Sequence, residues 1–194
     1  MKFELRRVNH RDWRQLSILM PAIFPELTKD LVASYLCYRS HSMGVATIDK
    51  RIIGFYQFDP AKTVQTAWLN YFGVSSNNQR LSMGKNLLQY FEQHAVSMGY
   101  TRADLHVRQE NTSAQKFYEK NGYHFVEIHP ETTHTDFLYA KTFTTVSVAP
   151  VESKSHTPKR AIIASLFMRI RCKFYYGVYI AIPRALSFPT RTKK

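Results

Sequence analysis

The stretch Gln79-Arg80-Leu81-Ser82-Met83-Gly84-Lys85 opens an apolar-periodic segment and has the character of a loop turning into a helix. Successive backbone N–H groups in such a turn converge on an anion, and the positive end of the helix dipole adds to the attraction. Arg80 and Lys85 bring side-chain positive charge to the same place. Further on, Asn111 precedes the run Lys116-Phe117-Tyr118-Glu119-Lys120-Asn121-Gly122-Tyr123. This second piece reads as a short helix that carries a tyrosine, is stopped by Asn-Gly and leads into a strand. Asn111 stands where it can cap that helix.

The elements that must position these residues follow from periodicity. Phe3, Leu5 and Arg7 alternate with Glu4, Arg6 and Val8, which predicts a first strand. Asn9-His10-Arg11-Asp12 has the form of a helix N-cap with an acidic residue three positions on. Trp13, Leu16, Leu19 and Met20 follow at helical spacing, and Pro21 is expected to end that helix. After the connector Pro25-Glu26-Leu27, Thr28 can cap a second helix with Leu31, Val32, Tyr35 and Leu36 as its apolar face. From Met43 the period changes to two: 43–48 and 51–59 predict strands joined by a tight hairpin at Asp49-Lys50. Thr66 to Val74 predicts a third strand, ending in the polar loop Ser75-Ser76-Asn77-Asn78. The helix opened near Ser82 shows Met83, Leu87, Leu88, Phe91 and Ala95 on one face, and Gly99 ends it. A strand over 103–107, a helix over 112–120, a strand near 123–128 and a last strand over 136–143 complete the series.

A chain of 194 residues, 44% apolar and 14% aromatic, has room for one well-cored domain rather than two, and its composition excludes a disordered chain. The net charge of +13 is uneven: residues 1–144 hold 17 Lys+Arg against 13 Asp+Glu, and residues 145–194 hold 10 against 1. The excess basicity belongs to the tail. Cys37 and Cys172 match no metal spacing and read as reduced thiols, which points to the cytoplasm. Residues 2–7 read as a strand rather than a secretory leader, and no uncharged apolar run approaches the length of a membrane span.

In this order along the chain, the two chemical pieces resemble the acetyl-CoA-binding core of the GNAT superfamily of N-acetyltransferases, over residues 1–143. The resemblance implies an α/β (α+β) GNAT fold: a mixed central sheet with helices on both faces, in the order β-α-α-β-β-β-α-β-α-β-β. It implies acetyl-CoA as cofactor and transfer of its acetyl group to an amine of a small molecule, peptide or protein. Direct attack in a ternary complex is expected, because neither cysteine falls in a matched position for a covalent intermediate. The pyrophosphate would sit on the backbone amides of residues 79–85. Most relatives read Gln/Arg-x-x-Gly-x-Gly/Ala there; Gln79 and Gly84 match, and Ser82 replaces the first glycine, supplying the same amide and a hydroxyl. Phe72-Gly73-Val74 resembles the strand end whose backbone orients the pantetheine arm and polarises the thioester carbonyl. In relatives that strand splays from the next, here Leu105-His106-Val107. Tyr118 occupies the tyrosine of the family's Phe-Tyr-x-x-x-Gly-Phe/Tyr pattern, which lies near the sulfur and protonates the departing thiolate. A phenol with a pKa near ~10 is matched to that thiol. Asn111 matches an asparagine that contacts the cofactor arm in many members.

The general base is not given by the pattern. Many relatives carry a glutamate on the third central strand, whereas Trp68-Leu69-Asn70-Tyr71-Phe72 contains no carboxylate. Asn70 and His106 stand beside Tyr118 as catalytic candidates, with Tyr71, Glu26 and Glu110 as further possibilities acting through water. His106 alternates with Leu105 and Val107 and so can face the splay. The missing carboxylate keeps a non-catalytic CoA-binding or regulatory module open as the rival reading. No His, Asp or Glu cluster has metal-ligand spacing, so no metal is expected. The acceptor would be shaped by residues 21–28 and 129–135, which carry Glu26 and Glu131. The domains expected are 1–144, the catalytic unit, and 145–194, a linker with a basic amphipathic extension. For residues 159–194 three accounts stay open: contact with an anionic membrane surface, which would make the protein peripheral to a membrane, contact with nucleic acid, or packing without a separate role. A homodimer is the remaining partner expectation.

Overall fold

The chain runs β1 (Phe3–Arg7), α1 (Trp13–Ile23), α2 (Lys29–Tyr38), β2 (Met43–Ile48), β3 (Arg51–Pro60), β4 (Thr66–Val74), α3 (Met83–Ser97), β5 (Arg102–Arg108), α4 (Thr112–Lys120), β6 (His124–Pro130) and β7 (Thr135–Thr142). The structure is a computed structural model and describes residues 2–78 and 82–143; the basic extension, with Cys172, and Gln79, Arg80 and Leu81 lie outside the described residues. The order of elements is the expected one. Seven strands form one sheet in the order β1-β2-β3-β4-β5-β7-β6, all neighbours antiparallel except β4 and β5.

Local rules set most boundaries. Asp49 and Lys50 both take positive φ (47° and 69°), the two-residue turn that suits the twist of a hairpin. Thr28 caps α2, its hydroxyl oxygen accepting from the Leu31 N–H at 3.3 Å. The Asn9–Asp12 capping box also forms, and Arg6 grips the Asp12 carboxylate at 2.7 and 2.8 Å. It opens one short 3-10 turn (His10–Asp12) before α1 rather than α1 itself. Pro21 does not end α1, which continues to Ile23 and closes with the Phe24 N–H on the Met20 carbonyl. A proline in the last turn removes a single helix bond, a loss the end of a helix tolerates. On α2 the buried side chains are Val32, Ala33, Leu36 and Cys37, while Leu31 faces solvent: the helix is rolled by one position from the expected face.

The pleat of β3 sorts the core into two layers. Tyr56 and Phe58 pack on Phe91 and His94 of α3, while Phe55, just before them in sequence, meets Phe24 beyond α1. Gly44 makes this possible, since a Cβ there would lie 2.4 Å from the Tyr56 ring. The Tyr56 hydroxyl and His94 Nδ1 form a buried hydrogen bond of 2.8 Å. Burial, and then the charge of Arg7, push the His94 pKa down to about 4, against a smaller opposing pull from the His41 backbone.

Because the folded His94 binds its proton less readily than the unfolded one, stability is complete above the unfolded pKa of about 6.5 and is lost as pH falls towards about 4. The loss approaches ~3 kcal/mol. Urea midpoints measured from pH 7.5 to 4.5 should fall more steeply in the wild type than in His94→Gln, which keeps an acceptor for Tyr56 but does not titrate.

Candidate active site

The parallel register of β4 on β5 covers three pairs only, Thr66↔Arg102, Ala67↔Ala103 and Trp68↔Asp104. Both strands continue past it, β4 to Val74 and β5 to Arg108. They part because each is committed elsewhere: β3 pairs with β4 as far as Gly54↔Val74, and β7 takes β5 along all seven of its residues. The splay that the resemblance implies between these strands is therefore present, and it opens after Trp68↔Asp104. At its root β4 is bulged, since Gln57 pairs with Tyr71 and Phe58 with Leu69, leaving Asn70 as the extra residue. Asn70 and Tyr71 consequently both address the layer of α1 and α2, while Phe72 turns to the layer of α3 and α4.

On the α3–α4 side, Phe72 stacks on Phe117 at 5.8 Å and meets Tyr118 edge-on at 6.2 Å. Tyr118 is buried, and burial raises its pKa far above that of a free phenol, so it is protonated at any working pH. Ser82, the N-cap of α3, sits in the left-handed region (φ 56°, ψ 8°) and its hydroxyl does not cap the helix. This is the backbone geometry that glycine adopts without cost, which explains why relatives place glycine there. The Asn86 N–H is bonded to the Ser82 carbonyl, and the amides of Met83, Gly84 and Lys85 precede it in the first turn, where a helix has no acceptor for them. Gly84 brings α3 against α4: a Cβ there would stand 3.4 Å from the Phe117 ring. Between the two helices lies a cavity of about 370 Å³ lined by Ser82, Gly84, Lys85, Phe117, Lys120 and Asn121. Helix-end amides flanked by two lysines suit an anionic ligand such as a pyrophosphate. Asn111 caps α4, its side-chain oxygen accepting from the Ala114 N–H at 3.1 Å.

The opposite face holds the remaining candidates. The Asn70 amide donates to Gln57 Oε1 (2.9 Å) and Asp59 Oδ2 (3.1 Å), and Asp59 is paired with Arg39 at 3.0 Å. Asn70 is thus held as a fixed dipole rather than a proton carrier. Tyr71 packs on Phe24 and Tyr35, with ring centres 5.1 and 5.5 Å apart, and burial, Tyr35 and Glu26 raise its pKa. Gly73 lets this layer close down, because a Cβ there would lie 2.7 Å from Ile23 Cγ2. His106 projects on this side, its side chain 30% exposed, with the Trp68 ring edge-on at 4.8 Å and the His129 ring at 4.7 Å. Burial first, then His129, lower its pKa below 6.5, opposed by Asp136, Glu131 and Glu127. An imidazole so placed is neutral at pH 7 and able to accept a proton. Glu26 and Glu110, exposed on their loops, have no hydrogen bond to these groups among the described residues.

A splayed parallel pair with an anion-binding helix end on one face and a titratable histidine on the other defines a cofactor-dependent acyltransferase. The description "Acetyltransferase (GNAT) family" matches residues 6–123, more than half of the chain. No match to a curated protein was found by sequence. Among solved structures, Arabidopsis thaliana Naa50 in complex with the bisubstrate analogue CoA-Ac-MVNAL is 20% identical, with a TM-score of 0.62 over 74% of this chain and 100% of that one. The Escherichia coli ribosomal-protein-S18-alanine N-acetyltransferase is 18% identical, TM-score 0.63, over 78% and 98%. The PaiA N-acetyltransferase of Thermoplasma acidophilum in complex with coenzyme A is 19% identical, TM-score 0.57, over 74% and 100%. At these identities the likeness is one of fold. The chain belongs to the GNAT acetyltransferase family; it is an N-acetyltransferase that uses acetyl-CoA and an amine acceptor.

Sequence reading did not find Trp68, Asp59, His129, His134 or Asp136. Trp68 was visible as the start of a strand residue run, but its place at the root of the splay depends on where pairing stops. The others come from β3, β6, the loop before β7 and β7 itself, and only strand order brings them to Asn70 and His106.

Replacing Ser82 by glycine should relieve about 1 kcal/mol of backbone strain. Calorimetric titration with coenzyme A is expected to show affinity kept or raised severalfold, whereas Ser82→Val should lower it at least tenfold.

Proposed function

We propose that the protein acetylates the terminal amine of a peptide by direct attack in a ternary complex, with His106 as general base and Tyr118 as general acid. The observation that carries this reading is the two-sidedness of the splay: His106 lies on the α1–α2 face and Tyr118 on the α3–α4 face. The acetyl-CoA thioester supplies the activated acetyl group. Ser82, Met83, Gly84 and Lys85, continued by Gln79, Arg80 and Leu81, would hold its pyrophosphate, and the backbone of Phe72, Gly73 and Val74 its arm, with Asn111 nearby. Neutral His106 takes the proton that the amine gives up as the C–N bond forms, and Tyr118 gives its proton to the sulfur as the C–S bond breaks. The fixed Asn70 dipole and the Trp68 edge orient the acceptor side. The aromatic nest of Phe24, Tyr35 and Tyr71, with Glu26 at its rim, suits a first residue that is apolar next to a cationic amine. Support for a peptide acceptor comes also from neighbours whose complexes or names specify peptide and protein amino termini.

A second reading concerns the extension. Its charge balance of 10 Lys+Arg against 1 Asp+Glu favours contact with an anionic surface. Binding to anionic vesicles that weakens with salt and is lost on deleting residues 145–194 is expected on that reading; salt-independent or absent binding rejects it.

His106→Gln and Tyr118→Phe should each lower kcat by about 10²- to 10⁴-fold, with acetyl-CoA affinity by calorimetry unchanged. Unaltered turnover in His106→Gln would remove the base assignment. In the wild type, kcat/KM should rise with pH through a midpoint below 6.5, because the depressed histidine becomes neutral there. Peptides with a free amino terminus should outpace polyamines in the same assay.

A further inference from the structure

β7 lies between β5 and β6, so Asp136 is in register with Arg108 on one side and His129 on the other. Its carboxylate, 15% exposed, is where several cationic or titratable groups converge. Oδ2 stands 3.3 Å from His134 Nε2 and 3.8 Å from His106 Nδ1, and Oδ1 stands 3.7 Å from Arg108 Nε. The Thr133 hydroxyl is 3.0 Å from His134 Nδ1, so a neutral His134 takes the Thr133 proton contact at Nδ1 and donates Nε2–H to Asp136. From β6, the His129 ring lies against His106 with its Nε2 2.9 Å from Glu127 Oε1. Glu131, in the loop before β7, acts on His106 through its charge. Among the described residues no group of three or more His, Cys, Asp or Glu is arranged to hold a metal ion. The cluster is a set of proton-handling groups, and only one carboxylate in it reaches both His106 and His134.

We propose that Asp136 is the positioning residue of His106: it holds the Nδ1–H tautomer, leaves Nε2 as the atom that accepts the proton, and divides its charge between His106 and His134. The inference deepens the reading of His106 as the base and rests on it. The chemistry is electrostatic and tautomeric. At 3.8 Å the pair is beyond hydrogen-bond length, so in the neutral state the carboxylate acts on the ring through its charge, favouring the tautomer that carries hydrogen on the facing Nδ1. With Asp136 removed, His106 keeps the burial and the His129 contact that depress its pKa and loses the nearest charge that opposes them. His134 tunes the pair, because whatever it draws from the carboxylate is withheld from His106.

The test is an NMR titration of the His106 ring in the free protein, alongside the pH profile of the rate. In Asp136→Asn the His106 midpoint should fall by about one unit. The tautomer signature of its ring nitrogens should become mixed, and kcat should fall at least tenfold with KM unchanged. Asp136→Glu should restore part of each. In His134→Leu, a change at a loop position that removes the donor to Asp136, the His106 midpoint should move the other way, upwards. This second variant keeps the test decisive if Asp136→Asn does not fold. A His106 titration and tautomer identical in the wild type and Asp136→Asn, or unmoved in His134→Leu, would overturn the proposal. If His106→Gln retains full activity while the titration still shifts in both variants, the base reading fails and the coupling of Asp136 to His106 stands.

Discussion

The constraint on which the rest depends is the early end of the β4–β5 ladder. Parallel pairing stops after Trp68↔Asp104, while β5 keeps its full partnership with β7 and β4 keeps its own with β3. A sheet normally satisfies its backbone polar groups internally, and a gap between central strands leaves that to a ligand or water. The bulge at Asn70 bends β4 at the point of departure and moves one residue onto the acceptor face without disturbing the β3 register beyond it.

Once the gap exists, the pleat assigns chemistry to faces. Leu105 and Val107 belong to the core that includes Tyr118, so His106 between them must lie on the other side. Tyr118 and His106, the proposed acid and base, are then separated by the sheet. Close packing supports both sides: Gly84 admits Phe117 beside the helix end, and Gly73 admits Ile23 over the strand. Burial holds each group in the protonation state its task needs, the phenol protonated and the imidazole neutral.

The acceptor side also shows how few charges are spent on it. Asp59 is tied to Arg39 and Asn70, and Asp136 to His134 and Arg108. β4 carries no carboxylate, and on the proposed reading the histidine on β5 accepts the proton instead. Proton acceptance by a neutral imidazole does not require a strand carboxylate.

By itself the sequence determined the series of elements, because hydrophobic period, caps and turn residues are local: the Asp49-Lys50 hairpin, the Thr28 cap and the Asn111 cap all fall where residue chemistry places them. It also determined the helix that opens after Ser82 and the Tyr118 helix, whose motifs are contiguous. Boundaries that depend on packing rather than propensity were displaced, as with Pro21 inside α1 and the rolled face of α2. Only the tertiary structure distinguishes the surroundings of the several polar residues from which the proposed base is drawn. His106 stands out from Asn70, Tyr71, Glu26 and Glu110 through contacts with Trp68, His129 and Asp136, which come from three other strands. Strand order inserts β7 between β5 and β6, and no local property of residues 124–142 specifies that insertion; it follows from how the whole sheet buries its two faces.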